Sequence, residues 1–220
     1  MIRALIFDFD GLVLETEGPS LQSWVEVYRC FGQSLPFSTW SQIIGTTQAV
    51  FDPRQELEKL VSAPVDWDAV ELERRKNENA MIEAQEVLPG VVVYLRTARK
   101  LGLKIGLASS SSCQWVTGHL TRLGLRDYFD CIRAADDVQN VKPDPELYLA
   151  VLHALQVQAD ETVALEDSPL GIHSAKQAGL YCVAVPNALT RQLNLAEADL
   201  QLDSLADMPL EQLLNLIHLD

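Results

Sequence analysis

Cysteine is scarce in this chain of 220 residues, and the cysteines that it has are scattered. Cys30, Cys113, Cys131 and Cys182 have neither close pairing nor Cys-x-x-Cys spacing. A disulfide framework and a zinc site are therefore not expected. Reduced and mostly buried thiols fit this pattern best. The histidines likewise share no ligand spacing, and no function is assigned to them: His119, His153, His173 and His218.

Positive charge is also in short supply. Lysine and arginine together number 17 against 31 acidic residues, which gives a formal net charge of -14 and a pI of about 4.6. A surface of this kind repels phosphate backbones and anionic lipids, so neither nucleic acid nor a membrane is expected as a partner. An anionic ligand would need a local cation. The only basic triplet is Arg74-Arg75-Lys76.

Long apolar runs are missing as well. No stretch approaches the length of a membrane span, and the sequence opens directly into a strand pattern instead of a basic segment followed by an apolar one. We therefore expect a cytoplasmic protein, and a monomer. Hydrophobic residues nevertheless make up 48% of the chain, which is enough for a sizeable buried core.

The most informative stretch is Ala4-Leu5-Ile6-Phe7-Asp8-Phe9-Asp10-Gly11. Its apolar run has the length of a strand buried on both faces, and two carboxylates and a glycine follow at once. Side chains at i and i+2 of an extended chain point the same way, so Asp8 and Asp10 can face one pocket. Gly11 allows a turn and a close ligand. An acidic turn after a strand is the simpler interpretation of this stretch alone.

The rest of the chain predicts an α/β fold with a Rossmann-like parallel sheet and an inserted all-helical cap. Helical patterns fill residues 15–88, whereas strands and helices alternate from residue 89 onward. We therefore expect a catalytic core of residues 1–14 and 89–220, with residues 15–88 as a helical lid.

Most core strands end in a residue with chemical capacity. Asp8 and Asp10 follow the first strand, and Ser109, the Lys142 loop and Glu166-Asp167 follow later strands. Parallel strands place these ends on one edge of the sheet, where the residues would converge. The clustered carboxylates need more positive charge than Lys142 supplies, which implies a divalent metal. Oxygen ligands suit Mg²⁺, which often completes its shell on a phosphate, so a phosphorylated ligand is expected.

Four segments together resemble the motifs of the haloacid dehalogenase superfamily, in its helical-cap phosphatase branch near the beta-phosphoglucomutase-like group. They are Asp8-Phe9-Asp10-Gly11, Ala108-Ser109-Ser110, Lys142-Pro143 and Leu165-Glu166-Asp167-Ser168. Each segment alone also fits an ordinary role, such as a helix cap, a loop cation or acidic residues at a helix N-terminus. Four segments in the right order at strand ends are far more specific.

The resemblance implies a role for each of these residues. Asp8 would be the nucleophile that forms an aspartyl phosphate, and Asp10 the acid and base. Mg²⁺ would be held by Asp8, the Asp10 carbonyl and Asp167, with Glu166 as a ligand or a supporting group. Lys142 would offset negative charge. The Ser109 hydroxyl and nearby backbone N–H groups would hydrogen-bond the phosphoryl oxygens in the transition state, and Gly11 and Ser110 would also bind the substrate.

The expected function is hydrolysis of a phosphomonoester in a small metabolite, such as a sugar phosphate or a nucleotide. Lys76 lies in a segment that resembles the substrate-contacting part of the beta-phosphoglucomutase cap, and a solvated helix face explains it equally well. A sugar phosphomutase is the first alternative. It is disfavoured because those enzymes carry histidine near Ser20 and arginine near Gln48. The second alternative is a non-catalytic phospho-receiver, which the lid and Asp10 disfavour.

Overall fold

A sheet of six strands forms the centre of the computed structural model, which describes residues 1–44 and 51–217. The strands are β1 (Ala4–Phe7), β2 (Lys104–Ala108), β3 (Cys131–Arg133), β4 (Thr162–Glu166), β5 (Tyr181–Ala184) and β6 (Leu200–Gln201). They are ordered β3-β2-β1-β4-β5-β6, and every pairing is parallel. The predicted Rossmann-like α/β fold is confirmed.

The helices fall into two groups. The first group precedes residue 84 and contains α1 (Glu17–Cys30), α2 (Phe37–Trp40), α3 (Pro53–Leu60) and α4 (Trp67–Glu83). The second group alternates with the strands and contains α5 (Val91–Lys100), α6 (Cys113–Arg122), α7 (Glu146–Leu155), α8 (Pro169–Gln177) and α9 (Leu210–Ile217).

The first helical group leaves and rejoins the rest of the chain at neighbouring points. An isolated antiparallel bridge joins Leu14 to Val87, and the Leu88 amide donates a hydrogen bond of 3.0 Å to the Val13 carbonyl. Within the described part of 15–88, the backbone forms helices and no strand longer than this bridge. The division into a core of 1–14 and 89–220 and a cap of 15–88 stays a prediction, and these contacts are compatible with it.

Strand β1 is buried on both faces, as its apolar run predicts. Leu5 and Phe7 belong to one hydrophobic cluster, whereas Ala4 and Ile6 belong to another. Successive side chains of a strand point to opposite faces, so the two clusters lie on the two sides of the sheet. The central strand is thereby fixed from both sides, and the residues that follow it have a rigid base.

A third hydrophobic cluster lies among the helices of the first group. Trp24, Tyr28, Trp40 and Leu57 are buried there, and the Tyr28 hydroxyl donates a 2.9 Å hydrogen bond to the Pro53 carbonyl. Helix α1 contributes two of these residues, Trp24 and Tyr28. Because this cluster is distinct from the clusters beside the sheet, the helices of the first group have a core of their own.

Two expectations from the sequence need correction. The pair Asp144-Pro145 predicts an N-cap at Asp144 with proline at the first helical position, but Pro145 is itself the N-cap of α7. The Asp144 side chain accepts a 2.9 Å hydrogen bond from the Glu146 amide two residues ahead, which is an Asx turn one residue upstream of the helix. The thiols are all free, but only Cys131 and Cys182 are buried, so "mostly buried" is wrong for the other two.

Among the residues that the structure describes, no helix has the combination of length and apolarity that a membrane span requires.

Candidate active site

The register of the sheet brings the predicted strand-end residues together. Phe7 of β1 pairs with Leu107 of β2 and with Leu165 of β4. Asp8 therefore follows β1 at the level of Ala108 and Glu166, in the middle of the sheet. Ligands of open parallel sheets bind outside these carboxyl ends, at the position where the strand order changes direction.

Lys142 is the cation at the centre of the site. Its side chain is only 2% exposed, and its ammonium contacts the Asp8 carboxylate, Glu166 Oε1 at 2.6 Å and the Ala108 carbonyl at 2.9 Å. Burial lowers the pKa of Lys142, but the two facing carboxylates outweigh burial and raise the pKa above its ordinary value. Lys142 is thus a fixed positive charge beside Asp8.

Asp8 also belongs to a cluster of three carboxylates. Asp8, Glu166 and Asp167 each place one oxygen within 4.8 Å of the others, and all three are buried. Burial raises the pKa of Asp8 to about 8, with Lys142 opposing the rise and the carboxylates of Glu166 and Asp10 adding to it. Burial, reinforced by Asp8 and Glu166, also raises the pKa of Asp167 well above its ordinary value. Since one ammonium faces three carboxylates, the cluster fits a divalent cation.

Glu166 differs from its two neighbours because both of its oxygens have hydrogen-bond donors. Oε1 accepts hydrogen bonds from Lys142 and from the Tyr148 hydroxyl, each at 2.6 Å. Oε2 accepts from the Asp167 amide at 3.2 Å and from the Ser168 hydroxyl at 3.4 Å. These contacts suit a group that holds Lys142 in place better than they suit a direct metal ligand.

Asp10 is held by side chains from three segments of the chain. Its Oδ1 accepts hydrogen bonds of 2.9 Å from the Thr16 hydroxyl and from the Trp115 indole N–H. Its Oδ2 accepts from the hydroxyls of Ser111 at 2.7 Å and Ser109 at 3.3 Å. The orientation of this carboxylate is therefore fixed from both the linker after β1 and the start of α6.

The serines after β2 divide their roles. Ser112 is the N-cap of α6 and accepts a hydrogen bond from the Trp115 amide at 3.3 Å. Ser110 lines the cavity, and its buried hydroxyl has no hydrogen-bond partner among the described residues. Buried hydroxyls are almost always hydrogen-bonded, so a ligand oxygen is the natural partner for Ser110. The run of four serines thus contains a helix cap and a candidate ligand contact.

Gly11 has a conformation and a position that exclude other residues. Its φ is +85°, and a Cβ built on it would lie 2.3 Å from Asp167 Oδ2. The same oxygen of Asp167 accepts a 2.9 Å hydrogen bond from the Asn187 side chain. Because Gly11 has no side chain, the Asp167 carboxylate can occupy this space.

The site opens into a cavity of about 190 Å³ between the sheet edge and the first helical group. Its wall on the sheet side is formed by Asp8, Asp10, Ser109, Ser110, Ser111, Trp115, Asp167 and Ser168. Thr16, Glu17, Ser20, Glu78 and Ile82 complete it from the other side. This volume is below the roughly 300–1,000 Å³ that is usual for sites of drug-sized ligands, so the cavity has room only for a small metabolite.

The structure does not bring the predicted substrate residue Lys76 to this cavity. Its side chain is 75% exposed, and its ammonium lies 3.8 Å from Glu73. The cavity-facing residues of α4 are Glu78 and Ile82. Lys76 is two residues before Glu78, which places it about 200° away around a helix of 3.6 residues per turn. The other mutase-related position, Gln48, lies outside the described residues.

Several residues that support the site were not predicted. Thr16, Ser111 and Trp115 hold Asp10, Tyr148 holds Glu166, and Asn187 holds Asp167. Asn187 comes three residues after the end of β5, so the reasoning about strand ends that found Asp8 also applies to it. Tyr148 and Trp115 lie on helices, where the sequence gives no comparable signal.

Comparisons with known proteins agree with this geometry. A family model described as haloacid dehalogenase-like hydrolase matches residues 5–185. YhcW of Bacillus subtilis (strain 168) is 45% identical over 98% of this chain and 97% of its own length. A Thermotoga maritima protein named phosphorylated carbohydrates phosphatase is 31% identical over 98% of each chain.

One solved structure that resembles this one contains a ligand. It is a mutant of CbbY from Rhodobacter sphaeroides in complex with xylulose-(1,5)bisphosphate. It has a TM-score of 0.73 and 28% identity, and the match covers 94% of this chain and 96% of that chain.

Proposed function

Because the chain belongs to the family of haloacid dehalogenase-like hydrolases, we propose that it is a Mg²⁺-dependent phosphatase for small phosphorylated carbohydrates, with Asp8 as the nucleophile. The family match confirms the resemblance to the haloacid dehalogenase superfamily that was inferred from the sequence. The observation that carries the proposal is the placement of Asp8 at the cavity, in contact with the Lys142 ammonium and within 4.8 Å of an Asp167 carboxylate oxygen. The relative named phosphorylated carbohydrates phosphatase supports both the reaction and the substrate class.

The reaction has two steps. An oxygen of Asp8 attacks phosphorus, which forms an acyl phosphate while the bond to the leaving oxygen breaks and Asp10 gives that oxygen a proton. A water molecule then attacks phosphorus, Asp10 takes a proton from the water, and the bond to Asp8 breaks. Asp10 lies two residues after Asp8 and lines the same cavity, which suits it to both proton transfers.

The residues around Asp8 complete the site. Asp8, the Asp10 carbonyl and Asp167 would hold Mg²⁺, while Glu166 keeps Lys142 in place. A bound divalent cation would supply positive charge that lets an anionic nucleophile approach an anionic phosphate. Lys142 would stabilise the negative oxygens of the phosphoryl group through its charge, and the Ser110 hydroxyl would donate a hydrogen bond to one of them in the transition state.

A phosphatase is favoured over a phosphomutase. Ser20, which stands where the mutases carry histidine, lines the cavity and offers only a hydroxyl. A phospho-receiver is also disfavoured, because Asp10 is placed to promote turnover. A cytoplasmic location and a monomeric state remain predictions from the sequence.

The test is phosphate release from sugar phosphates, nucleotides and p-nitrophenyl phosphate, measured with Mg²⁺ and with a chelator. We expect release only with the metal, and a loss of roughly 10⁴-fold or more in Asp8→Asn, since loss of a nucleophile removes the covalent route. The variant should fold, because Asn removes a buried charge and leaves Lys142 paired with Glu166. Activity of Asp8→Asn near that of the wild type would refute the nucleophile assignment.

A further inference from the structure

The cap side of the cavity is acidic. Of the residues from the first helical group that line it, Glu17 and Glu78 are carboxylates, Ser20 is neutral and Ile82 is apolar. No described residue of this group brings a cation to the wall. Residues 45–50, which lie outside the described part of the chain, include no charged side chain in the sequence. The part of a substrate that faces the cap therefore meets negative charge.

Only one carboxylate oxygen of Glu78 has a hydrogen-bond donor among the described residues. Its side chain is 16% exposed, and Oε2 accepts a 2.7 Å hydrogen bond from Arg74. Among the described residues, no donor contacts Oε1 of Glu78. A carboxylate oxygen is a strong acceptor for a hydroxyl group. Oε1 is therefore suited to a ligand hydroxyl in the cavity.

Arg74 fixes the position of Glu78 and is not available to a ligand. Its side chain is 8% exposed, and its guanidinium also contacts Glu71 at 2.8 Å and the Ser23 hydroxyl at 2.9 Å. The guanidinium carbon lies 4.6 Å from the centre of the Trp24 ring. One arginine thus serves two carboxylates from a buried position behind Glu78, and it does not line the cavity.

Neither Arg75 nor Lys76 lines the cavity. Arg75 is bound to Glu71 and Lys76 lies beside Glu73, both on exposed parts of α4. Lys142 is buried in contact with Asp8 and Glu166, next to the proposed nucleophile. Within the described residues, a positive charge is therefore available to a phosphoryl group at the sheet edge, where Lys142 lies. Among these residues, no cation is available to a second phosphoryl group on the cap side.

We propose that Glu78 is a specificity-determining residue, which selects an uncharged, hydroxyl-bearing leaving group and disfavours a substrate with a second phosphate. The inference rests on the proposed function. A second phosphate would carry up to two negative charges next to Glu17 and Glu78, and like charges in a partly enclosed site repel strongly. A sugar hydroxyl in the same place would donate a hydrogen bond to Glu78.

The inference also bears on the mutase alternative. A mutase that returns a phosphoryl group from Asp8 to a sugar monophosphate must pass through a sugar bisphosphate. An acidic cap disfavours that intermediate and so favours release of the sugar.

The test compares two inhibitors of p-nitrophenyl phosphate hydrolysis, fructose 1-phosphate and fructose 1,6-bisphosphate. In the wild type, we expect the monophosphate to compete at least about tenfold more strongly. In Glu78→Gln, the ratio between the two inhibition constants should become several-fold smaller. The bisphosphate should inhibit more strongly than in the wild type, and the monophosphate should inhibit less strongly. Glu73→Gln is the matched control on an exposed part of the same helix, and it should keep the wild-type ratio.

Three outcomes would overturn the inference if the wild type shows metal-dependent turnover. They are equal inhibition by the two sugar phosphates in the wild type, no inhibition by the monophosphate, and an unchanged inhibition ratio in Glu78→Gln. Absence of that turnover in the wild type would overturn the proposed function instead. If Glu78→Gln does not fold, the wild-type ratio is measured at rising KCl concentration. Salt screens charge repulsion, so the ratio should narrow, and a salt-independent ratio would contradict the role of Glu78.

Discussion

The two walls of the cavity are built on different principles. On the sheet side, Asp8 and Asp167 are buried, and the ion-paired Lys142 and Glu166 are 2% and 0% exposed. Each has several partners from separate strands or loops. On the cap side, Glu78 is 16% exposed, and only one of its two oxygens has a donor within the described part of the chain. The sheet wall is thus a network fixed before any ligand arrives, whereas the cap wall offers polar groups that remain open to the ligand.

This difference suggests that the sheet wall carries out the reaction, whereas the cap wall selects the substrate. A buried network can hold a nucleophile, a cation and metal ligands in a constant arrangement for any phosphate ester. Groups that face only the leaving part of a substrate change which ester is accepted. Variants of the sheet wall should therefore affect all substrates alike, and variants of the cap wall should change ratios between substrates.

The largest effect in this comparison is expected at Asp167. Asp167→Ala removes a proposed metal ligand, so the apparent Mg²⁺ affinity should fall by at least about 10–100-fold, the loss seen even for outer partners of metal ligands. The rate should fall with it for every substrate. A metal titration of activity measures both. Asp203→Asn is the control, since its side chain is 78% exposed. An unchanged titration curve in Asp167→Ala would remove this residue from the ligand set.

A smaller effect is expected at Trp115, a positioning residue for Asp10. Trp115→Phe keeps the ring but removes the N–H that contacts Asp10 at 2.9 Å. Hydrogen bonds to charged groups contribute about 1.5–3 kcal/mol, so kcat should fall by about tenfold or more with little change in KM or in metal affinity. Steady-state kinetics across a range of pH values, with melting curves, measure this. A lower melting temperature with unchanged kcat would assign Trp115 a structural role only.

The smallest effect is expected at Lys76. Its ammonium is exposed and points away from the cavity, so Lys76→Ala should leave kcat/KM within about twofold for every ester, as surface substitutions usually do. The same panel of substrates measures this. A selective loss of activity toward one phosphorylated sugar would restore the contact predicted from the sequence and would place Lys76 on the cap wall.

The sheet wall could be predicted because its residues follow a rule of topology. Asp8, Ser109, Lys142 and Asp167 lie at or beyond strand ends, and all ends of a parallel sheet share one edge. The order of apolar runs and polar residues is visible in the sequence. The buried strand β1 and the parallel sheet followed from the same pattern.

The cap wall could not be predicted in this way. Which face of α4 meets the cavity depends on how the helices pack, and a helix rich in charge gives no clear apolar stripe to orient it. Lys76 was therefore placed at the site, whereas Glu78 was missed. Trp115 was missed for a related reason, because its contact with Asp10 joins a helix to a loop distant in sequence.

The most direct test of the central claim is a burst experiment on Asp10→Asn with p-nitrophenyl phosphate and Mg²⁺. The nitrophenolate group leaves without a proton, so attack by Asp8 should proceed, while hydrolysis of the acyl phosphate, which needs a base, should stall. We predict one nitrophenolate released per chain in a rapid burst, and a phosphoryl group found on Asp8 after acid quench and peptide mapping. Slow linear turnover without a burst or phosphorylated Asp8 would contradict the account.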